Sequence, residues 1–346
     1  MSDRLSRPRL AVFVAVSLLL GLGALELGAR AVLPRLPAPA PPPDMPEADE
    51  EWLINAKLAF KYGFFLADEH TMWRPRPGYR QDPRGGAVYG TEPMVLNQHG
   101  HRSPPRTQEK PEGVRRLLIL GGSHPFGMWV NTSEVYSSVL QNMLDERAPG
   151  AWEVMNAASP GHTTFQGLRS LEHYGIPLEP DVVVFDLGMN DGLRLSVDFA
   201  RPDHEVAAVP AWAGAATETA AGSALYRLIR KGIAATRTPQ QSAGVRVPAP
   251  ERLKNLAAVG ALAEQHGFRV LYMAQVGVET WNGPGKANCT YRATEFEPFL
   301  DICELFEGLG SGAGNYFVDP IHANAQGHSL IGQAVFGKLD DLGWVD

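Results

Sequence analysis

Residues 181–187 read DVVVFDL, an unbroken apolar run, Val182–Phe185, between two aspartates. Such a run suits a strand buried on both faces of a parallel sheet, where neither side of the pleat meets water. The same texture recurs outward from it. Arg115–Leu120 (RRLLIL) is a short buried-strand run ending in Gly121-Gly122, Trp152–Ala157 and Phe268–Gln275 (FRVLYMAQ) are further strands, and Asn315–Val318 is a short fifth. Between them Glu134–Glu146, Phe165–His173 and Arg252–His266 have helical spacing, and a helix over Ala325–Leu342 closes the chain. Strands alternating with helices predict an α/β fold, a parallel sheet with helices on both faces. Residues 193–250, rich in Ala, Thr and Gly with a helical piece at Ser223–Lys231, interrupt this rhythm. An insertion after a strand's carboxyl end is expected to cap the site there.

Upstream of residue 115 the pattern differs. Residues 1–33 carry Arg4, Arg7, Arg9 and Arg30 against Asp3 and Glu26, a net of +2 in a chain of 346 residues and net charge −7, which leaves −9 on the rest. The basic start precedes Leu10–Leu25, sixteen residues with no charge and only Ser17 polar. This reads as an export signal or, extended to Leu33, as a signal anchor. Arginines at the start would keep the N-terminus inside and send the remainder outside, anchored to the inner membrane. Residues 34–48 form a Pro-rich linker, with seven prolines between Pro34 and Pro46, a semi-rigid polyproline spacer. Residues 49–114 are a lead-in with an amphipathic helix at Glu50–Phe65 and an irregular Pro-, Gly- and Arg-rich stretch over 67–113. Residues 115–346 are expected to form one domain that carries whatever chemistry the chain performs. The 24 Arg against 7 Lys point to a bacterial source. The acidic balance argues against a nucleic-acid partner, which needs a basic surface against phosphate.

In open parallel sheets, ligands sit beyond the carboxyl ends of the strands, so the segments after each strand carry the chemistry. After the first comes Gly121-Gly122-Ser123-His124-Pro125-Phe126-Gly127. No Gly-Lys-Ser/Thr follows and the spacing is not G-x-G-x-x-G, which disfavours a phosphate loop. Ser123 is either a helix cap or a nucleophile on a Gly-flanked turn. After the second strand, Gly161 offers an unobstructed N–H or is simply a turn glycine. After the third, Gly188-Met189-Asn190-Asp191 either aims the Asn190 amide into the crevice or makes a turn. Asp319-Pro320-Ile321-His322 sets a carboxylate three residues before a histidine across a proline-stiffened turn, so that Asp319 can hold Nδ1 and free Nε2 as a base. No third histidine, H-E-x-x-H or cysteine set completes a metal site, and no cofactor is expected. Together the four segments supply a nucleophile, an oriented base and three donors (Ser123 N–H, Gly161 N–H and the Asn190 amide), the equipment of acyl transfer through a tetrahedral intermediate.

Gly121-Gly122-Ser123, Gly161, Gly188-x-Asn190-Asp191 and Asp319-x-x-His322 resemble, in order and spacing over residues 115–342, the blocks of the SGNH (GDSL-like) hydrolases. The resemblance implies a flavodoxin-like three-layer α/β/α sandwich with a five-stranded parallel sheet. It implies Ser123 as nucleophile, His322 as base, Asp319 as its orienter, and an oxyanion hole from the Ser123 amide, Gly161 and Asn190. One departure is visible: Gly122 stands where the family's name motif has Asp. Trp73-Arg74-Pro75-Arg76-Pro77-Gly78 and Asn97-x-x-Gly100-His101-Arg102 resemble the lead-in of a membrane-anchored bacterial subgroup, with His101 in place of an aromatic. Arg102 is expected in a structural salt bridge, and Met128 and Trp129 in packing beside the Ser123 turn.

The function expected is that of a membrane-tethered, extracytoplasmic serine esterase acting on an ester-bearing small molecule, lipid or glycan. An O-acetyltransferase of envelope or exported polysaccharide, using the same acyl-enzyme, and a non-catalytic envelope-binding protein are the alternatives. Cys289 and Cys303 flank 13 residues; in an exported protein they are either bridged as a disulfide or two buried free thiols.

Overall fold

The computed structural model of the chain describes residues 7–32, 64–81, 91–195, 201–206, 223–226, 228–229, 244–291 and 296–345. The linker over 34–48, the Glu50–Phe65 helix up to residue 63 and most of the 193–250 insertion lie outside the described residues.

The predicted sheet is present. Strands β3 (Arg115–Gly121), β4 (Trp152–Asn156), β5 (Val182–Asp186), β6 (Arg269–Met273) and β9 (Phe299–Leu300) form one five-stranded sheet. Its order is β4-β3-β5-β6-β9, with every neighbouring pair parallel. Numbered within the sheet this is 2-1-3-4-5, the flavodoxin-like order, in which the chain reverses direction at the first strand and opens a crevice at the carboxyl ends. The alternation of side chains across the pleat divides the core in two. Leu117, Ile119, Val182 and Val184 face Tyr136, Leu140 and Leu144 of helix α3 (Tyr136–Arg147) and Ile331, Val335 and Leu339 of α7 (Ala325–Asp341). Leu118, Leu120, Val183 and Phe185 face Leu168 of α4 (Thr164–Ser170) and Leu256, Val259 and Ala263 of α5 (Ala249–His266). The result is a three-layer α/β/α sandwich.

The fifth strand is not where the sequence put it. Asn315 and Tyr316 of the stretch expected to supply it end a 3-10 helix (Gly310–Tyr316), and Phe317 makes only an isolated bridge to Ala323. Phe317 is apolar because it is fully buried in the core beside Ile302 and Phe306, not because it pairs in a ladder. The edge position is taken by Phe299 and Leu300, which pair with Tyr272 and Met273. The stretch expected to be irregular holds an antiparallel hairpin, β1 (Phe65–Asp68) with β2 (Met72–Pro75). Phe64, Phe65, Met94 and Leu96 of this lead-in pack on Phe126, Met128 and Ala158, directly beneath the Ser123 turn. A second two-stranded piece, β7 (Gln275–Val278) with β8 (Ala287–Tyr291), follows β6, and the short helix α6 (Ile302–Glu307) follows β9. Cys289 of β8 and Cys303 of α6 form a disulfide with Cα atoms 5.6 Å apart, ordinary geometry for a bridge.

Arg7–Val32 is helical (α1). Among the described residues no helix is long and apolar enough to cross a membrane, so the span expected over residues 1–33 is without structural support. Glu26, the charge that interrupts the apolar run, accepts hydrogen bonds from Ser223 Oγ, Ala224 N and Leu225 N at 2.7–2.9 Å. That contact ties α1 to the first residues of the helical piece in the insertion.

Candidate active site

β3 ends at Gly121, and the chain turns at once into the four-residue helix α2 (Ser123–Phe126). The turn is tight enough that a side chain at Gly121 would collide with Pro125 and with the Asp186 carbonyl. Ser123 is thereby lifted to the sheet edge, where it is 6% exposed. On the far side of the crevice, Val318 N donates to His322 O at 2.9 Å, closing the turn that carries Asp319 and His322. β7 braces this turn: Val278 N donates to Pro320 O, and a side chain at Gly277 would overlap that same carbonyl.

The two turns meet. His322 Nε2 lies 2.8 Å from Ser123 Oγ, and His322 Nδ1 lies 2.5 Å from Asp319 Oδ2. The other carboxylate oxygen, Oδ1, accepts the backbone N–H of Ile321 and of His322. Burial by itself pushes the Asp319 carboxyl up, but the His322 ring and these two N–H donors outweigh it and hold the group below its ordinary value. An anionic Asp319 fixes the tautomer with the proton on Nδ1, which leaves Nε2 as acceptor for the Ser123 hydroxyl.

Gly161 and Asn190 come to the same place. Gly161, at φ +82°, follows β4, and Asn190 lies in a 3-10 turn after β5. Asn190 Nδ2 donates to His162 O at 2.9 Å, and Gly122 Cα lies so close that a Cβ there would sit 2.8 Å from that nitrogen. Among the described residues neither the Ser123 N–H nor the Gly161 N–H has a protein acceptor. Asp191 anchors the Asn190 turn by accepting from Thr164 N at 2.8 Å and Thr164 Oγ1 at 2.7 Å. Burial raises the Asp191 carboxyl to about 7, against the pull of these Thr164 bonds. Among the described residues no cluster of three or more His, Cys, Asp or Glu is arranged to hold a metal ion.

Three neighbours escape sequence reasoning. Trp129, expected to pack, donates from Nε1 to Asp319 Oδ2 at 2.9 Å, from a backbone held in the left-handed region at φ +73°. Arg102, expected in a salt bridge, is fully buried and donates to the carbonyls of Phe126, Gly127 and Val130, stapling the turn that presents Trp129. Arg246, from the insertion, is also fully buried; it pairs with Asp203 at 2.9 Å and donates to Gly161 O at 2.6 Å. Nothing in its Val-Arg-Val surroundings marks it, whereas the position of Trp129 just after the Ser123 turn was a visible signal.

Over residues 119–330 the chain matches the GDSL-like Lipase/Acylhydrolase family. It is 34% identical over 83 residues to an arylesterase of Vibrio mimicus, 24% of this chain and 41% of that protein. It is 33% identical over 81 residues to Esterase TesA of Pseudomonas aeruginosa, 23% of this chain and 40% of that protein. The chain thus spans about two fifths of the length of these relatives. Among solved structures, a crystal structure of TesA superposes with a TM-score of 0.40 at 18% identity, covering 66% of this chain and 99% of that one. An acetyl xylan esterase, AlAXEase, gives 0.39 at 13% identity, covering 64% and 98%. The family match runs through Ser123, Gly161, Asn190, Asp319 and His322 alike, and the chain belongs to the GDSL-like lipase/acylhydrolase family of ester hydrolases.

Proposed function

We propose that the chain is a serine ester hydrolase that works through an acyl-enzyme on Ser123 and acts outside the cytoplasm. The observation that carries this reading is the unbroken hydrogen-bonded series Ser123 Oγ, His322, Asp319, with links of 2.8 and 2.5 Å. His322 Nε2 takes the Ser123 proton as Oγ attacks the ester carbonyl carbon. The carbonyl oxygen becomes an oxyanion held by the Ser123 N–H, the Gly161 N–H and the Asn190 amide. Collapse breaks the ester C–O bond, and the leaving alcohol takes the proton from His322. Water then attacks the acyl carbon and gives His322 a proton; the acid departs as that proton returns to Ser123 Oγ. Asp319 stays ionised throughout and stabilises the transient imidazolium.

Action outside the cytoplasm is supported by the Cys289–Cys303 disulfide, since such bridges persist in oxidising compartments. The basic start before Leu10–Leu25 fits delivery by an export segment. Cell fractionation tests this part: recovery of the mature protein in the cytoplasm with both cysteines reduced would refute it.

Ester hydrolysis by purified protein, together with labelling by a fluorophosphonate probe, tests the chemistry. Ser123→Ala is expected to abolish labelling and to lower kcat by about 10⁴-fold or more. Full esterase activity in Ser123→Ala would overturn the reading.

A further inference from the structure

The Gly161 N–H belongs to the peptide unit Pro160–Gly161, and the oxygen of that same unit is held from outside the family-matched region. Trp73 Nε1 donates to Pro160 O at 3.1 Å. A peptide unit is planar and trans, so its C=O and N–H point in opposite directions, and fixing one aims the other. A hydrogen bond accepted at the oxygen also polarises the amide and strengthens its N–H as a donor.

The rest of the loop is clamped around this contact. The carbonyl of the next unit, Gly161 O, accepts from Arg246 Nη1, and His162 O accepts from Asn190 Nδ2. The hairpin that carries Trp73 is held in return: Trp73 O accepts from His162 Nε2 at 2.8 Å, and Thr71 O accepts from Gln166 Nε2 at 2.7 Å. Burial pushes the His162 ring down to about 4, so it is neutral at pH 7 and Nε2 carries its proton toward that carbonyl. Arg246 closes the circuit, bonding Gln166 Oε1 at 2.7 Å with its guanidinium 5.3 Å from the centre of the Trp73 ring. Three consecutive carbonyls, 160 to 162, are therefore each fixed by a donor from a different segment: lead-in, insertion and the turn after β5.

We infer that Trp73 is a positioning residue for the reaction. Its indole N–H orients and polarises the Pro160–Gly161 peptide so that the Gly161 N–H meets the oxyanion. This rests on the acyl-enzyme reading above. The lead-in hairpin is, on this view, a working part of the oxyanion hole and not a spacer.

The test removes the indole N–H and keeps the ring. Trp73→Phe is expected to lower kcat about tenfold, the order of one hydrogen bond, with KM within about twofold. The inhibition constant of an alkyl boronate, which forms a tetrahedral adduct on the serine, is expected to rise by the same factor as kcat/KM falls. A packing role would not produce that proportionality. As a second variant, 3-benzothienylalanine at position 73 replaces the N–H by sulfur at nearly constant shape and is expected to behave like Phe. Unchanged kcat in the benzothienylalanine protein, or a fall in kcat with no change in boronate affinity, would overturn the inference. If the unmodified protein neither hydrolyses esters nor takes the fluorophosphonate, the acyl-enzyme reading fails. If it does both and the Trp73 variants match it, this inference alone fails.

Discussion

At Trp129 a side chain that reads as packing is tied to the chemistry. Its indole shares Asp319 Oδ2 with the His322 ring, and its backbone occupies a region that costs a non-glycine residue of order 1–3 kcal/mol. Arg102 holds the carbonyls on either side of it, so the turn is over-determined by contacts around it. Removing the N–H with Trp129→Phe leaves Asp319 Oδ2 to His322 alone. A hydrogen bond to a charged group contributes about 1.5–3 kcal/mol, so we expect kcat to fall at least about tenfold with little change in KM. Steady-state kinetics check this, and an unchanged kcat would reduce Trp129 to a packing residue. Gly122 has a residue-scale account too. A Cβ at that position would press on Asn190 Nδ2, so the side chain that the family's name motif carries there does not fit this arrangement without moving the amide.

Among the elements, the disulfide joins two pieces that are not strands of the central sheet. Among the described residues β8 pairs with β7 alone, and α6 follows a two-residue edge strand. Crosslinking Cys289 to Cys303 closes a short loop, which stabilises by about 3 kcal/mol through the entropy of the unfolded chain. Replacing both cysteines by Ala is expected to lower Tm by roughly 6–12 °C in calorimetry, while the Ser123–His322 pair, held by the turn after β3 and by the Val318–His322 turn that β7 braces, keeps its activity at low temperature. An unchanged Tm would show that β8 and α6 are already fixed by their packing. The misplaced fifth strand has its cause at this scale. Tyr316-Phe317-Val318 looks like a strand because Phe317 is core, whereas Phe299-Leu300 is too short to show any period.

For the molecule as a whole, three histidines buried in three different segments make stability depend on pH. Burial is the first cause in each: His101 of the lead-in is held down to about 3, His162 to about 4, and His328 of α7 well below its ordinary value. Unfolded, each would take a proton near 6.5. The unfolded state therefore binds more protons below that pH, so this contribution is complete above 6.5 and is lost as pH falls toward the folded values. Each histidine removes up to about 1.4 kcal/mol per pH unit in that window. Because a domain of this kind is stable by only about 5–15 kcal/mol, Tm should fall between pH 6.5 and 5, although the raised Asp191 carboxyl takes up a proton in the folded state over the same window and offsets about one of the three histidines. Thermal melts against pH measure this. A flat Tm across the window would contradict it, and His101→Gln should make the slope shallower.

What the sequence determined by itself is local. Val182–Phe185 and Leu117–Leu120 read as buried parallel strands, because runs apolar on both faces leave no side for water. The glycines and polar residues that follow such strands had to gather at one edge, because every strand points the same way. Asp319 and His322 could be paired on spacing, since three residues across a proline turn leave the carboxylate within reach of the ring. Only the tertiary structure decided what surrounds them. Trp73 lies 87 residues from the carbonyl that it holds, and Arg246 lies 85 residues from its own. Contacts at such separation leave no period or motif in the chain, because nothing local requires a tryptophan or an arginine there. They are fixed by folding, when lead-in and insertion close on the loop after β4 and its buried carbonyls must find donors.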